Sequence, residues 1–113
     1  MKWELIYYQS FDGNAPVYEF IESLNPKAKA KVINALDLLS EFGINLGMPR
    51  VKKISGTELW ELRVVGGDNI RIFYITMSKR TFLLLHGFVK KKQKTDRKEI
   101  STALTRLRIV ENK

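Results

Sequence analysis

The chain has 113 residues, 44% of them apolar and 28% charged, with a formal net charge of +8 from 20 Lys/Arg against 12 Asp/Glu. A chain of this length is expected to fold as one domain over residues 1–113, with enough core to need no staples. Zero cysteines exclude a disulfide framework, a thiolate zinc site and a thiol nucleophile. The lone His86 and the scattered acids give no metal-ligand spacing, so neither metal nor cofactor is expected. Lys2 and Glu4 interrupt any N-terminal signal core, and apolar runs such as residues 82–85 are far shorter than the ~20 residues of a membrane span. A cytoplasmic protein without membrane contact is the expectation.

In chain order, residues 3–10 contain Leu5, Ile6, Tyr7 and Tyr8, a strand-like run. Asp12-Gly13-Asn14 is a turn, and Pro16 suits a first helical turn ahead of Val17, Phe20, Ile21 and Leu24 at helical spacing. Asn25-Pro26 separates that helix from a second, with Ala28, Val32, Ala35, Leu36 and Leu39 as its apolar stripe. From Thr57 the period changes to two. Trp60, Leu62 and Val64 alternate with Glu61, Arg63 and Val65, the pattern of a strand with one buried face.

After Gly66-Gly67-Asp68, Ile70, Ile72 and Tyr74 alternate with Arg71, Phe73 and Ile75. Residues 81–89 are apolar on both faces and predict a central strand. Thr95-Asp96 caps a last helix whose Ile100, Ala103, Leu104 and Leu107 form an amphipathic stripe. The order β-α-α-β-β-β-α describes an α+β domain, with helices on a mostly antiparallel sheet.

The charge is segregated. Residues 1–49 carry four lysines against six acids, a net of −2; residues 50–98 carry 13 bases against four acids, a net of +9. Such a concentration attracts polyanions, nucleic acid first, whereas a merely solubilising surface intersperses both signs.

Register sharpens this. A three-residue loop from Gly66 to Asp68 pairs Val64 with Ile70, Leu62 with Ile72 and Trp60 with Tyr74, keeping core residues opposite core residues. It also sets Arg63 opposite Arg71 and Glu61 opposite Phe73. Like charges directly opposed destabilise a sheet unless compensated. Glu61 can supply an ion pair, solvent can take the splayed arginines, or a phosphate can match their guanidinium forks. Lys52-Lys53 and Lys90-Lys91-Lys92-Gln93-Lys94 are predicted at strand ends, where sites concentrate. His86, in an apolar strand, is expected to be a packed, hydrogen-bonded histidine.

The blocks Val51-Lys52-Lys53-Ile54, Leu59-Trp60-Glu61-Leu62-Arg63, Arg71-Ile72-Phe73-Tyr74, Leu85-His86-Gly87-Phe88-Val89-Lys90-Lys91 and Gln93-Lys94-Thr95 resemble, in order, those of the phage-derived HigB-like toxins of the RelE/ParE superfamily. The resemblance spans essentially the whole chain. It implies a RelE-like fold, two N-terminal helices on an antiparallel-dominated sheet with a variable C-terminal helix. It also implies ribosome-dependent, metal-independent cleavage of mRNA, in which the RNA's own 2′-hydroxyl attacks the adjacent phosphate. The implied partners are the ribosome, mRNA and a cognate HigA-like helix-turn-helix antitoxin.

By the same resemblance Arg71 is the charge stabiliser, and Lys90 and Lys91 fall where related toxins place a basic residue after the last strand. Arg63 stands beside Arg71 by the register, and Glu61 completes the candidate catalytic set. Lys52, Lys53, Lys92 and Lys94 are implied as RNA or ribosome contacts. Relatives place basic residues where this chain has Glu61, and several use a C-terminal Tyr or His as acid, which this last helix lacks. Glu61, His86 or a lysine of the 90–92 cluster are the residues left for proton transfer. A ParE-like gyrase inhibitor and a non-enzymatic nucleic-acid-binding phage regulator are the competing functions.

Overall fold

The computed structural model describes residues 2–112. It contains five strands, β1 (Glu4–Tyr7), β2 (Val51–Lys53), β3 (Trp60–Arg63), β4 (Ile70–Met77) and β5 (Thr81–Val89). Its three α-helices are α1 (Pro16–Glu22), α2 (Pro26–Phe42) and α3 (Arg97–Glu111), and a 3-10 turn spans Gly43–Asn45. The sheet order is β1-β5-β4-β3-β2; β1 runs parallel to β5 and the other neighbours are antiparallel. This is the predicted α+β architecture with one strand more than the sequence pattern gave. Residues 51–53 are too short a run for periodicity to register, and as a strand they pair Lys52 with Glu61 and Lys53 with Trp60.

Helix starts follow the expected chemistry. Pro16 and Pro26 occupy first-turn positions, where a missing N–H costs nothing. The Asn25 side chain accepts from Ala28 N at 2.9 Å, and Asp96 accepts from Lys98 N at 3.0 Å, each satisfying an N–H that the helix cannot.

The sheet separates two apolar clusters. On one face α1 and α2 cover Leu62, Ile72, Tyr74, Phe82 and Leu84, meeting them with Val17, Val32 and Leu39. Each fully buried aliphatic side chain there contributes roughly 1.5–3 kcal/mol. Gly87 sits on this face, and a Cβ there would lie 2.7 Å from the Phe20 ring; the absent side chain lets α1 approach β5. On the other face α3 supplies Ala103 and Leu107 to a cluster with Leu59, Phe73, Leu83, Leu85 and Phe88.

A bulge in the β4–β5 ladder falls between Phe73, opposite His86, and Tyr74, opposite Leu84. Leu85 is the extra residue, so Leu85 and His86 both address the α3 face. The bulge thereby turns His86 toward the helix.

Candidate functional site

The β3–β4 register is the predicted one: Trp60 lies opposite Tyr74, Glu61 opposite Phe73, Leu62 opposite Ile72 and Arg63 opposite Arg71. Val64 N donates to Ile70 O at 3.1 Å. Beyond it the chain turns through Gly66 at φ 136° and Asn69 at φ 52°, left-handed positions that suit glycine and asparagine. Lys90 N then donates to Asn69 O at 2.8 Å. That bond extends the β4–β5 ladder past its last pair, Ile70 with Val89, and brings the lysine run beside Arg71.

Glu61 holds the two arginines together. Its Oε1 accepts from Arg63 Nε at 3.2 Å and lies 3.8 Å from Arg71 Nε. Glu61 is 2% exposed, although period-two patterning had put it on the wet side of β3. The reason is the pair of guanidinium groups, from Arg63 on the same strand and Arg71 on the next, that lie against the carboxylate. Glu61 Oε2 and Arg71 Nε are buried without a hydrogen-bond partner. Two guanidinium charges against one carboxylate leave one positive charge uncompensated. Burial pushes the Arg71 pKa down from its ordinary value, Glu61 opposes that, and Arg63 adds to it. Arg71 still stays charged, because a guanidinium does not deprotonate in a protein.

The predicted basic residues divide by position. Lys90, Lys91 and Lys92, with Asn69, Arg71 and Gln93, line an open depression at this end of the sheet. Lys94 lines an adjoining cleft with Phe88 and Glu99. Lys52 is exposed and directly opposite Glu61, hence on the arginine side of the sheet. Lys53 is not brought into this group. It lies over the Trp60 ring at 5.9 Å and donates to Thr57 O, one residue out of phase with Lys52 and therefore on the opposite face. Both lysines belong to β2 itself rather than to a segment leading into β3, and Lys53 is its last residue.

His86 is hydrogen-bonded on both ring nitrogens, as expected of a packed histidine. Nε2 is 2.7 Å from Glu99 Oε1, and Arg106 Nη1 is 3.3 Å from Nδ1. A guanidinium can only donate, so Nδ1 is the acceptor and Nε2–H donates to Glu99. Burial pushes the His86 pKa down; the Glu99 hydrogen bond and charge oppose this and Arg106 reinforces it. Arg106 Nη1 also donates to Leu85 O at 2.8 Å.

Glu99 and Arg106 were not singled out in the sequence. Their seven-residue spacing alongside the stripe of Ile100, Ala103 and Leu107 was the available signal, since it puts two charges next to a buried face.

Among the described residues no cluster of three or more His, Asp or Glu side chains could hold a metal ion. No described helix is long and apolar enough to cross a membrane. No curated protein matches the chain. The family model "Phage derived protein Gp49-like (DUF891)" matches residues 19–108, which include α2, all of β2 to β5 and nearly all of α3. The chain thus belongs to the phage-derived Gp49-like family, a family of RelE/HigB-like toxins.

Proposed function

We propose that this protein is the toxin of a type II toxin-antitoxin pair of the HigB kind, a ribosome-dependent endoribonuclease that cuts mRNA in the cytoplasm. The observation that carries the reading is the opposed pair Arg63 and Arg71, held by one shared carboxylate and left with an uncompensated positive charge. Cleavage by attack of the 2′-hydroxyl on the adjacent phosphate builds negative charge on the non-bridging oxygens. Guanidinium groups fixed beforehand stabilise that charge without reorganising at the moment of reaction.

In this reading Arg71 and Arg63 bind the scissile phosphate and Glu61 keeps their forks aligned. Lys90 and Lys91 flank the reacting centre, while Lys52, Lys92 and Lys94 track the RNA or ribosomal backbone. Lys53, on the far face, contributes a peripheral backbone contact. As the 2′-oxygen bonds to phosphorus the bond to the 5′-oxygen breaks, leaving a 2′,3′-cyclic phosphate. The 2′-hydroxyl proton passes to solvent and a lysine ammonium of the 90–92 loop protonates the departing 5′-oxygen, since both nitrogens of His86 are engaged and Glu61 is enclosed. A helix-turn-helix antitoxin of the HigA kind neutralises the toxin.

Inducing the protein alone tests this. Growth should stop, primer extension on translated messages should show new 5′ ends, and plasmid supercoiling should be unchanged. Intact messages with altered supercoiling would support a gyrase inhibitor instead. Intact messages with normal supercoiling and retained RNA binding would support a non-enzymatic regulator.

A further inference from the structure

The cleft next to Arg71 contains a carboxylate that phosphate binding does not explain. It has a volume of about 160 Å³ and is lined by Phe88, the Lys90–Lys92 run, Lys94, Asp96 and Glu99. Asp96 is engaged, capping α3 through Oδ1 and facing Lys92 Nζ at 3.8 Å through Oδ2. Glu99 is different. Its Oε1 takes the His86 Nε2–H, and among the described residues no lysine of the cleft lies within ion-pair distance of it.

A negative charge here weakens attraction for any phosphate entering the cleft. It is nevertheless held in place from behind. Arg106 fixes the His86 tautomer, His86 orients Glu99, and His86 stacks on Phe88 with ring centroids 5.4 Å apart and planes 18° apart. Phe88 in turn lies directly opposite Arg71. A carboxylate fixed this way, with Oε2 and the second lone pair of Oε1 available, can accept two parallel hydrogen bonds. Among the nucleobases only guanine presents two adjacent donors, N1–H and the N2 amino group, on its Watson–Crick edge. Adenine and cytosine each present one, beside an acceptor that a carboxylate repels.

We propose that this cleft is a guanine-binding subsite, with Glu99 as the specificity-determining residue and His86 as its positioning residue. The subsite takes the base of a nucleotide whose phosphate is held by Arg71 and the neighbouring lysines. Single-stranded RNA can splay a base into such a cleft and expose its Watson–Crick edge. From Arg71 across to Phe88 and along β5 to His86 is roughly 10 Å by strand geometry, the reach of a single nucleotide. The inference rests on the RNA-binding reading of the site but not on cleavage.

Binding of 5′-guanosine, inosine and adenosine monophosphates to the isolated full chain, followed by amide chemical shifts, provides the test. Guanosine monophosphate should bind at least about tenfold more tightly than adenosine monophosphate, the discrimination of a bidentate base contact. Inosine monophosphate, which keeps N1–H and lacks the amino group, should fall between them. Glu99→Gln should bring the guanosine-to-adenosine ratio close to one, and His86→Phe should reduce it. Arg71→Ala should weaken all three nucleotides alike, a split that a purely structural role for Glu99 would not produce.

Equal binding of the three nucleotides, no binding at millimolar concentration, or an unchanged ratio in folded Glu99→Gln would overturn the subsite. Message cleavage without guanine preference in this assay would remove the subsite and leave the nuclease reading standing. Guanine preference in a protein that never cuts RNA would do the reverse.

Discussion

On the α1/α2 side of the sheet, Leu62, Ile72 and Leu84 are 0% exposed among aliphatic neighbours, whereas the α3 side places Glu61, Arg63 and Arg71 on the same strands. The first face satisfies every demand of a core. The second is apolar only where α3 lies over it, through Phe73, Leu85 and Leu107, and becomes charged toward the β3–β4 loop. The apolar face fixes the register, the register sets the two arginines opposite each other, and Glu61 holds them together. Stability therefore belongs mainly to one side of the sheet, and the charged groups of the proposed phosphate site to the other.

The largest stability effect should come from the apolar face. Leu39→Ala, at a position 0% exposed, should cost about 2–5 kcal/mol in urea denaturation, while toxicity per folded molecule stays unchanged. A cost below about 1 kcal/mol would break the division between the faces. Glu61→Gln should cost less, about 1–3 kcal/mol, because Arg63 is partly solvated and can turn outward. Inorganic phosphate should restore more melting temperature to this variant than to the wild type, since an anion can replace the lost carboxylate charge between the arginines. Equal restoration in both would separate Glu61 from the phosphate site.

A smaller effect should follow pH. Burial holds the His86 pKa below its ordinary 6.5, so the fold favours neutral imidazole. That stabilisation is fully present above the ordinary value and is lost as pH falls through the lowered native one. The urea midpoint should therefore fall between about pH 7 and pH 5 in the wild type. The fall should be shallower in His86→Gln, and identical slopes would show that His86 does not couple β5 to α3. The smallest effect belongs to Lys29→Ala. It removes a 2.9 Å pair with Glu22 whose side chains are 32% and 44% exposed, and it should change stability by no more than about 0.5 kcal/mol.

Legibility in the sequence followed the same division. Helices α1, α2 and α3 and the pairing of β3 with β4 could be read because proline, asparagine and aspartate caps and strict alternation act locally. The opposition of Arg63 and Arg71 was legible for the same reason. Three features were not.

Strand β2 has only three residues, and it forms because β3 offers an open edge. The burial of Glu61 depends on two arginine side chains lying against it, one of them from the neighbouring strand, which no pattern within β3 reveals. The His86–Glu99–Arg106 chain needs a β-bulge to turn His86 toward α3, and Gly87 was the one local hint of it in a strand apolar on both faces. Local chemistry was readable, and contacts made between separate elements were not.

Arg71→Ala provides the most direct test of the central claim, that the charged end of the α3 face stabilises a scissile phosphate. Arg71 is partly buried at the charged end of a sheet whose register the opposite face holds, so circular dichroism and urea denaturation should show a folded protein. Primer extension on translated messages should show cleavage reduced by at least about a hundredfold, the scale of losing one fixed donor to a developing oxyanion, and growth should resume. A folded Arg71→Ala protein that cuts messages at the wild-type rate would contradict the account.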